Sequence, residues 1–106
     1  MNLARVSGEH AIPETTVVVT EALDCASVGR WGEHFRAAAA RRPARLILDL
    51  RHSPRIDAAA IAVLLHLHRE LIGADARLTL RAPVARVRRL LGLARVDHVL
   101  EVEEAP

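Results

Sequence analysis

Two aspartates, Asp49 and Asp57, bracket the segment DLRHSPRID. A carboxylate pair at that spacing can serve acid–base chemistry if the chain folds the two together. Each also has an ordinary structural task. Asp49 ends an apolar run that reads as a strand, and Asp57 precedes a long alanine- and leucine-rich run that reads as a helix. An aspartate there caps the helix by accepting from a free backbone N–H. Helix starts also hold anions or carry phosphate. Yet the next three residues are Ala58, Ala59 and Ala60, which bring no side-chain chemistry.

The remaining reactive side chains argue against catalysis. His66 and His68 form an H-x-H pair, but residues two apart on a helix point about 200° apart, so one metal ion does not take both. His68 falls among Ile61, Leu64, Leu65, Leu71 and Ile72, and His66 falls opposite with Arg69 and Glu70. The expectation is one core-facing and one solvated histidine, and no metal site. Cys25 is the only cysteine and has no disulfide partner within the chain. It reads as a small hydrophobe rather than a nucleophile. No glycine-rich phosphate loop or nucleophile elbow occurs, so no cofactor is expected. Arg81, Arg86, Arg88, Arg89 and Arg95 crowd one third of the chain, where they form a solvated helix face or meet an acidic partner.

The elements that must position these groups alternate along the chain. The first dozen residues read as an irregular or short extended lead-in. TTVVVT (15–20) reads as a strand. A helix over roughly 26–41 follows, capped by Asp24 or Ser27, with Val28, Trp31, Phe35 and Ala38/Ala39 on its inner face. RLILDL (45–50) is nearly continuous in apolar residues and reads as a strand buried on both faces. The helix after Asp57 runs to about Gly73. RLTLR (77–81) alternates as a third strand. Pro83 opens a helix with Val84, Val87 and Leu91 inward and Leu90 beside them, and DHVLEV (97–102) reads as the last strand. Strands alternating with helices predict an α/β domain with a largely parallel or mixed sheet.

Composition bounds the function. The chain has 106 residues and is 51% hydrophobic, enough for one globular domain with an aliphatic core around Trp31 and Phe35, its only aromatics. All fifteen basic residues are arginine, which gives a pI near 9.9 with a net charge of only +2. Thirteen acidic residues nearly balance them, and two aromatics offer little base stacking, so nucleic acid is not the expected partner. No apolar run is long enough for direct membrane insertion. The N-terminus lacks the apolar segment of a secretory signal, and a single cysteine fits a reducing cytoplasm.

The order of elements and the residues around Asp57 resemble the STAS domain, as in bacterial anti-sigma factor antagonists. The resemblance covers about residues 15–102, within a single domain taken as 1–106. It rests on LILDL (46–50), RHSPRI, Asp57, LLHLHREL, GADARLTL and VARVRRLLGLARVDHVL. In that family the strand, loop and helix read like D-L-x-x-x-x-x-x-D-S-S-G-L, followed by L-L-x-L-H-R. Asp49, Leu50 and Asp57 keep the spacing. Leu23 and Asp24 match an early G-E-L-D-like motif. Val96, Asp97, Val99 and Leu100 match a late G-L-D-R-V-L-like one.

The resemblance implies a mixed four- or five-stranded sheet with helices mainly on one face. It implies a non-enzymatic interaction module that binds an anti-sigma factor or related kinase-like protein. Such a partner often phosphorylates the serine or threonine after the conserved aspartate, and the added charge ends the contact. Here the phosphoacceptor position is Ala58, the next serine is Ala59, the glycine is Ala60, and the glycine of the late motif is Arg95. The switch cannot operate at Ala58, and Ser53, in the preceding loop, is a poor substitute. The expected partner-binding residues are Asp24, Ser53, Asp57, Ala58, Ala59 and Ala60. Alternatives are a structural STAS-like subunit of a regulatory or membrane-transport complex, a weak homodimer, and an enzyme or nucleotide-binding domain using Asp49 and Asp57.

Overall fold

The computed structural model describes residues 12–105. The sequence-level lead-in therefore lies outside the described residues, apart from its last position. Seven elements follow in the order β1 (Ile12–Val18), α1 (Val28–Ala39), β2 (Pro43–Asp49), α2 (Ala58–Gly73), β3 (Arg77–Arg81), α3 (Ala85–Leu93) and β4 (Glu101–Glu103). The strands lie side by side in sequence order. Every pairing is parallel, with Thr15 opposite Leu46, Leu46 opposite Leu78 and Leu80 opposite Val102. The antiparallel strand that a mixed sheet requires is not among the described residues.

Sequential parallel neighbours need crossovers, and a crossover of fixed hand always delivers its helix to the same side. The packing agrees. Trp31, Phe35 and Ala38 of α1, Ala60, Leu64, Leu67 and Leu71 of α2, and Val87 and Leu91 of α3 share one cluster with Val19, Leu46, Leu48, Leu50, Leu78 and Leu80 of one sheet face. Leu46, Ile47 and Leu48 are all fully buried, as a central strand covered on both faces requires.

The helix-free face is covered by charge. Fully buried Ile47 and Thr79 sit at its centre. Around them Arg45 reaches Glu14 at 2.6 Å, Thr79 at 3.4 Å, Glu103 at 3.6 Å and Glu101 at 3.9 Å. Arg77 pairs with Glu101 at 2.7 Å and Arg81 with Glu103 at 3.1 Å. The register places Arg45 directly opposite Arg77, a repulsive cross-strand pair that these glutamates offset. The hydrogen bond from Arg45, then its charge, holds the Glu14 carboxyl below the usual range.

Two expectations shift. In α2 the fully inward stripe is Ala60, Leu64, Leu67 and Leu71, while Ile72 is 53% exposed. Ile61, Val63 and Leu65 are half-buried against the cluster, so this helix is apolar nearly all round and its own pattern leaves its rotation open. The last strand begins at Glu101 rather than residue 97, because the amides of Val99 and Leu100 both donate to the Val96 carbonyl and close a turn first.

Helices α2 and α3 end alike. After α2 the Ala76 amide donates to Leu71 and the Asp75 amide to Ile72; after α3 the Val96 amide donates to Leu91 and the Arg95 amide to Gly92. This double bond pattern needs a left-handed residue at the turn. Asp75 (φ 60°) and Arg95 (φ 61°) supply it without being glycine. Arg95 stands where the family-like motif has glycine, and its backbone shows why glycine suits the position. Arg95→Gly is expected to raise stability by about 1 kcal/mol. Urea denaturation checks this, and an unchanged or lower midpoint contradicts it.

Candidate functional site

In a parallel sheet all strands end on the same edge, so the loops that follow them gather there. The β1–α1 loop and the β2–α2 loop are joined as they leave. The Leu23 amide donates to the Arg55 carbonyl at 3.0 Å, and Leu23 and Ile56 form an isolated parallel bridge. Both side chains are buried in the core, so the junction is anchored from below.

Asp57 makes the second tie. One carboxylate oxygen accepts from the Ala60 amide at 3.0 Å, which caps α2. The other accepts from the Cys25 amide at 2.9 Å, across to the first loop. The capping bond is the largest cause that holds the Asp57 carboxyl below the usual carboxylate range, and the Cys25 amide adds to it against partial burial.

Asp24 organises the other loop. Its carboxylate accepts from the amides of Ala26 and Ser27 at 3.0 and 3.2 Å, and Arg55 approaches it at 3.4 Å. Ser27 occupies the N-cap position of α1 without a side-chain cap; its hydroxyl donates instead to the Ala22 carbonyl at 2.8 Å. Glu21 accepts from Trp31 Nε1 at 2.8 Å and pairs with Arg30. These bonds, Trp31 first, hold its carboxyl below the usual range.

The six expected contact residues thus gather on one edge, but not on one surface. Ala58 is exposed, and Asp24, Asp57 and Ala59 are half-buried. Ser53 and Ala60 are fully buried. The Ser53 amide donates to Leu50 at 3.0 Å and its hydroxyl faces the Arg55 carbonyl at 3.5 Å. These two hold the loop and the first turn from within and offer no surface in this conformation.

The acid–base pair does not assemble. Asp49 shares a sheet face with Arg45 and Ile47, away from the helices, and its carboxylate takes Arg51 at 3.2 Å. Asp57 belongs to the helix side. His66 lies 3.4 Å from Glu70 on the exposed face of α2, and His68 is half-buried with a shielded Nδ1 that has no partner among the described residues. No group of three or more candidate metal ligands occurs among the described residues, nor is any of their helices long and apolar enough to cross a membrane. What sequence reasoning missed is the tie between loops. The Leu23–Asp24 and Asp57 positions signalled it, but an amide donor such as that of Cys25 leaves no mark on residue type.

A family model described as the STAS domain matches residues 4–105. No curated protein matches the chain. Among solved structures, a Thermotoga maritima protein described as a candidate anti-sigma factor antagonist aligns with a TM-score of 0.76, over 85% of this chain and 80% of its own, at 15% identity. At that identity the likeness establishes the fold.

Asp57→Ala removes both ties, so its melting temperature at neutral pH is expected to fall by about 5 °C, with Asp57→Asn losing less because its one amide oxygen still caps Ala60 while the Cys25 amide loses its acceptor. A carboxyl held low in the fold stabilises fully above its unfolded value, about 3.9, and loses this as pH falls through the folded value. The gap between the native protein and Asp57→Ala should therefore narrow below about pH 4. Melting curves across pH test this, and a gap that widens in acid contradicts it.

Proposed function

As the chain belongs to the STAS domain family, we propose that it acts by docking to another protein in the cytoplasm. In this reading it is a non-enzymatic module of the anti-sigma factor antagonist kind, whose partner is an anti-sigma factor or related kinase-like protein. One observation carries the reading. The first turn of α2, held by the two-way Asp57 tie, presents the exposed alanine Ala58, which in this reading stands where the family carries its phosphoacceptor. The likeness in fold to a candidate antagonist supports the same direction.

The contact surface in this reading is the exposed part of the edge: Asp24, Asp57, Ala58 and Ala59. Ser53 and Ala60 support it from inside. A phosphate next to Asp57 would add roughly −1.5 to −2 charges to a contact surface, which is how a family switch releases its partner. This chain has no hydroxyl there. The two serines of the flanking loops, Ser27 and Ser53, are 5% and 0% exposed and engaged with backbone carbonyls. At the start of α2 no hydroxyl is available, so in this reading the docked state is the default at that position; exposed Thr20 of the β1–α1 loop lies outside the contact residues.

Two outcomes test the proposal once a partner has been captured from the native cell and identified. Incubation with that partner and ATP should leave the peptide spanning residues 55–65 unmodified; phosphate mapped to it by mass spectrometry ends the default-state reading. Ala58→Glu should weaken partner binding about tenfold, a carboxylate imitating part of a phosphate's charge, while Ala58→Ser leaves it near the native value. Calorimetry that finds Ala58→Glu binding as tightly as the native protein would place the contact elsewhere.

A further inference from the structure

Beside the docking edge lies an open groove of about 290 Å³, lined by Arg55, Ile56, Arg86, Arg89, Leu90 and Leu93. It joins the loop ahead of α2 to the outer face of α3. We propose that this groove is the second half of the docking surface and that it takes an acidic, amphipathic segment of the partner protein. The choice of a protein as occupant rests on the docking function proposed above; the chemistry of the groove does not.

The arginines differ in how they are neutralised; Arg41, Arg69 and Arg95 are exposed and without a side-chain partner among the described residues, but they do not line this groove. Arg45, Arg77, Arg81 and Arg88 each pair with a glutamate. Arg55 is held by Asp24 at 3.4 Å. The side chains of Arg86 and Arg89 are exposed and make no hydrogen bond or ion pair among the described residues, and no acidic residue lines the groove. Two unpaired arginines, and a third shared with Asp24, thus line one concavity. Arginine's planar fork suits carboxylates, which it can hold with two bonds at once.

Helix stability does not account for them. Arg86 lies in the first turn of α3, where a positive charge opposes the helix dipole, and that turn has no acidic residue and no side-chain cap. The apolar half of the groove makes the same point. Leu93 is 74% exposed, the most exposed large hydrophobic residue among those described, beside half-buried Leu90 and a floor of Ile56 at 6%. An apolar floor under a cationic rim matches an apolar anchor flanked by carboxylates. Its volume suits one or two anchoring side chains. Single-stranded nucleic acid would instead call for aromatic stacking platforms, and both aromatics, Trp31 and Phe35, are buried in the core.

The test titrates the full chain with a synthetic peptide of about four helical turns, leucines along one stripe and glutamates flanking it. Amide chemical-shift mapping should show saturable changes centred on Arg55, Ile56, Arg86, Arg89, Leu90 and Leu93. Arg86→Glu with Arg89→Glu should weaken binding about tenfold, as expected for reversing two exposed contacts, and Leu93→Ser should also weaken it. These sites are exposed, and unchanged melting curves confirm the variants fold.

Several outcomes overturn the proposal: shifts centred elsewhere, or a leucine-free glutamate peptide, an oligonucleotide or anionic lipid vesicles that occupy the groove as tightly. So does a concentration-dependent dimer abolished by Leu93→Ser, which would make a second copy the occupant. The captured partner separates this inference from the docking function. If Ala58→Glu weakens partner binding and the double arginine reversal does not, the groove assignment fails and the function stands. If only the double reversal weakens it, the groove stands and the Ala58 surface fails.

Discussion

A single carboxylate receives two backbone amides, one three positions after it and one 32 positions before it in the chain. Asp57 closes the start of α2 and in the same geometry fixes the loop that leads into α1. The two longer helices, which also pack on each other, therefore start from one shared point. Leu23 and Ile56 support it from the core side, where they bridge as strand-like neighbours. Were the loops free to move apart, the exposed methyl of Ala58 would have no fixed relation to Asp24 or to the groove beside α3.

The rest of the fold follows from laying sequential strands in parallel. All helices fall on one side, and the aliphatic core forms there. The other side must cover Ile47 and Thr79 without a helix, and long side chains do this by laying their apolar stems over the sheet while their charges remain at the surface. A lattice with Arg45 at its centre results. Individual exposed pairs of this kind contribute little, but one arginine shared among three glutamates and a threonine loses its side-chain freedom only once.

Much of this could be read from residue order. The strand 77–81, the inner stripes of α1 and α3, and the cap at Asp57 follow from spacing and from side-chain chemistry that acts locally. The rotation of α2 could not be read, because an apolar helix fits several ways and only its neighbours decide. The start of β4 could not, because the turn that delays it is made of backbone bonds that any residue can form. At the site, sequence marked the right stretch but could not separate outward from inward positions. Ser53 and Ala60 are polar and small, as surface contacts often are, yet both are enclosed. The groove was visible only as a crowd of arginines, since the loop that completes it is contributed by Arg55 and Ile56, far back in the chain before α3.

The three alanines at the start of α2 change what kind of control this surface can be under. A docking face with a hydroxyl has two variables, how much protein is present and what fraction of it is charged. A face with alanines in place of the hydroxyl lacks the second variable at that position. Its occupancy follows the ratio of its concentration to the dissociation constant, and a tenfold change in the amount of protein acts as a change of about 1.4 kcal/mol in affinity would. Under the docking function proposed here, synthesis and turnover become the dial, and a partner would read dosage rather than modification.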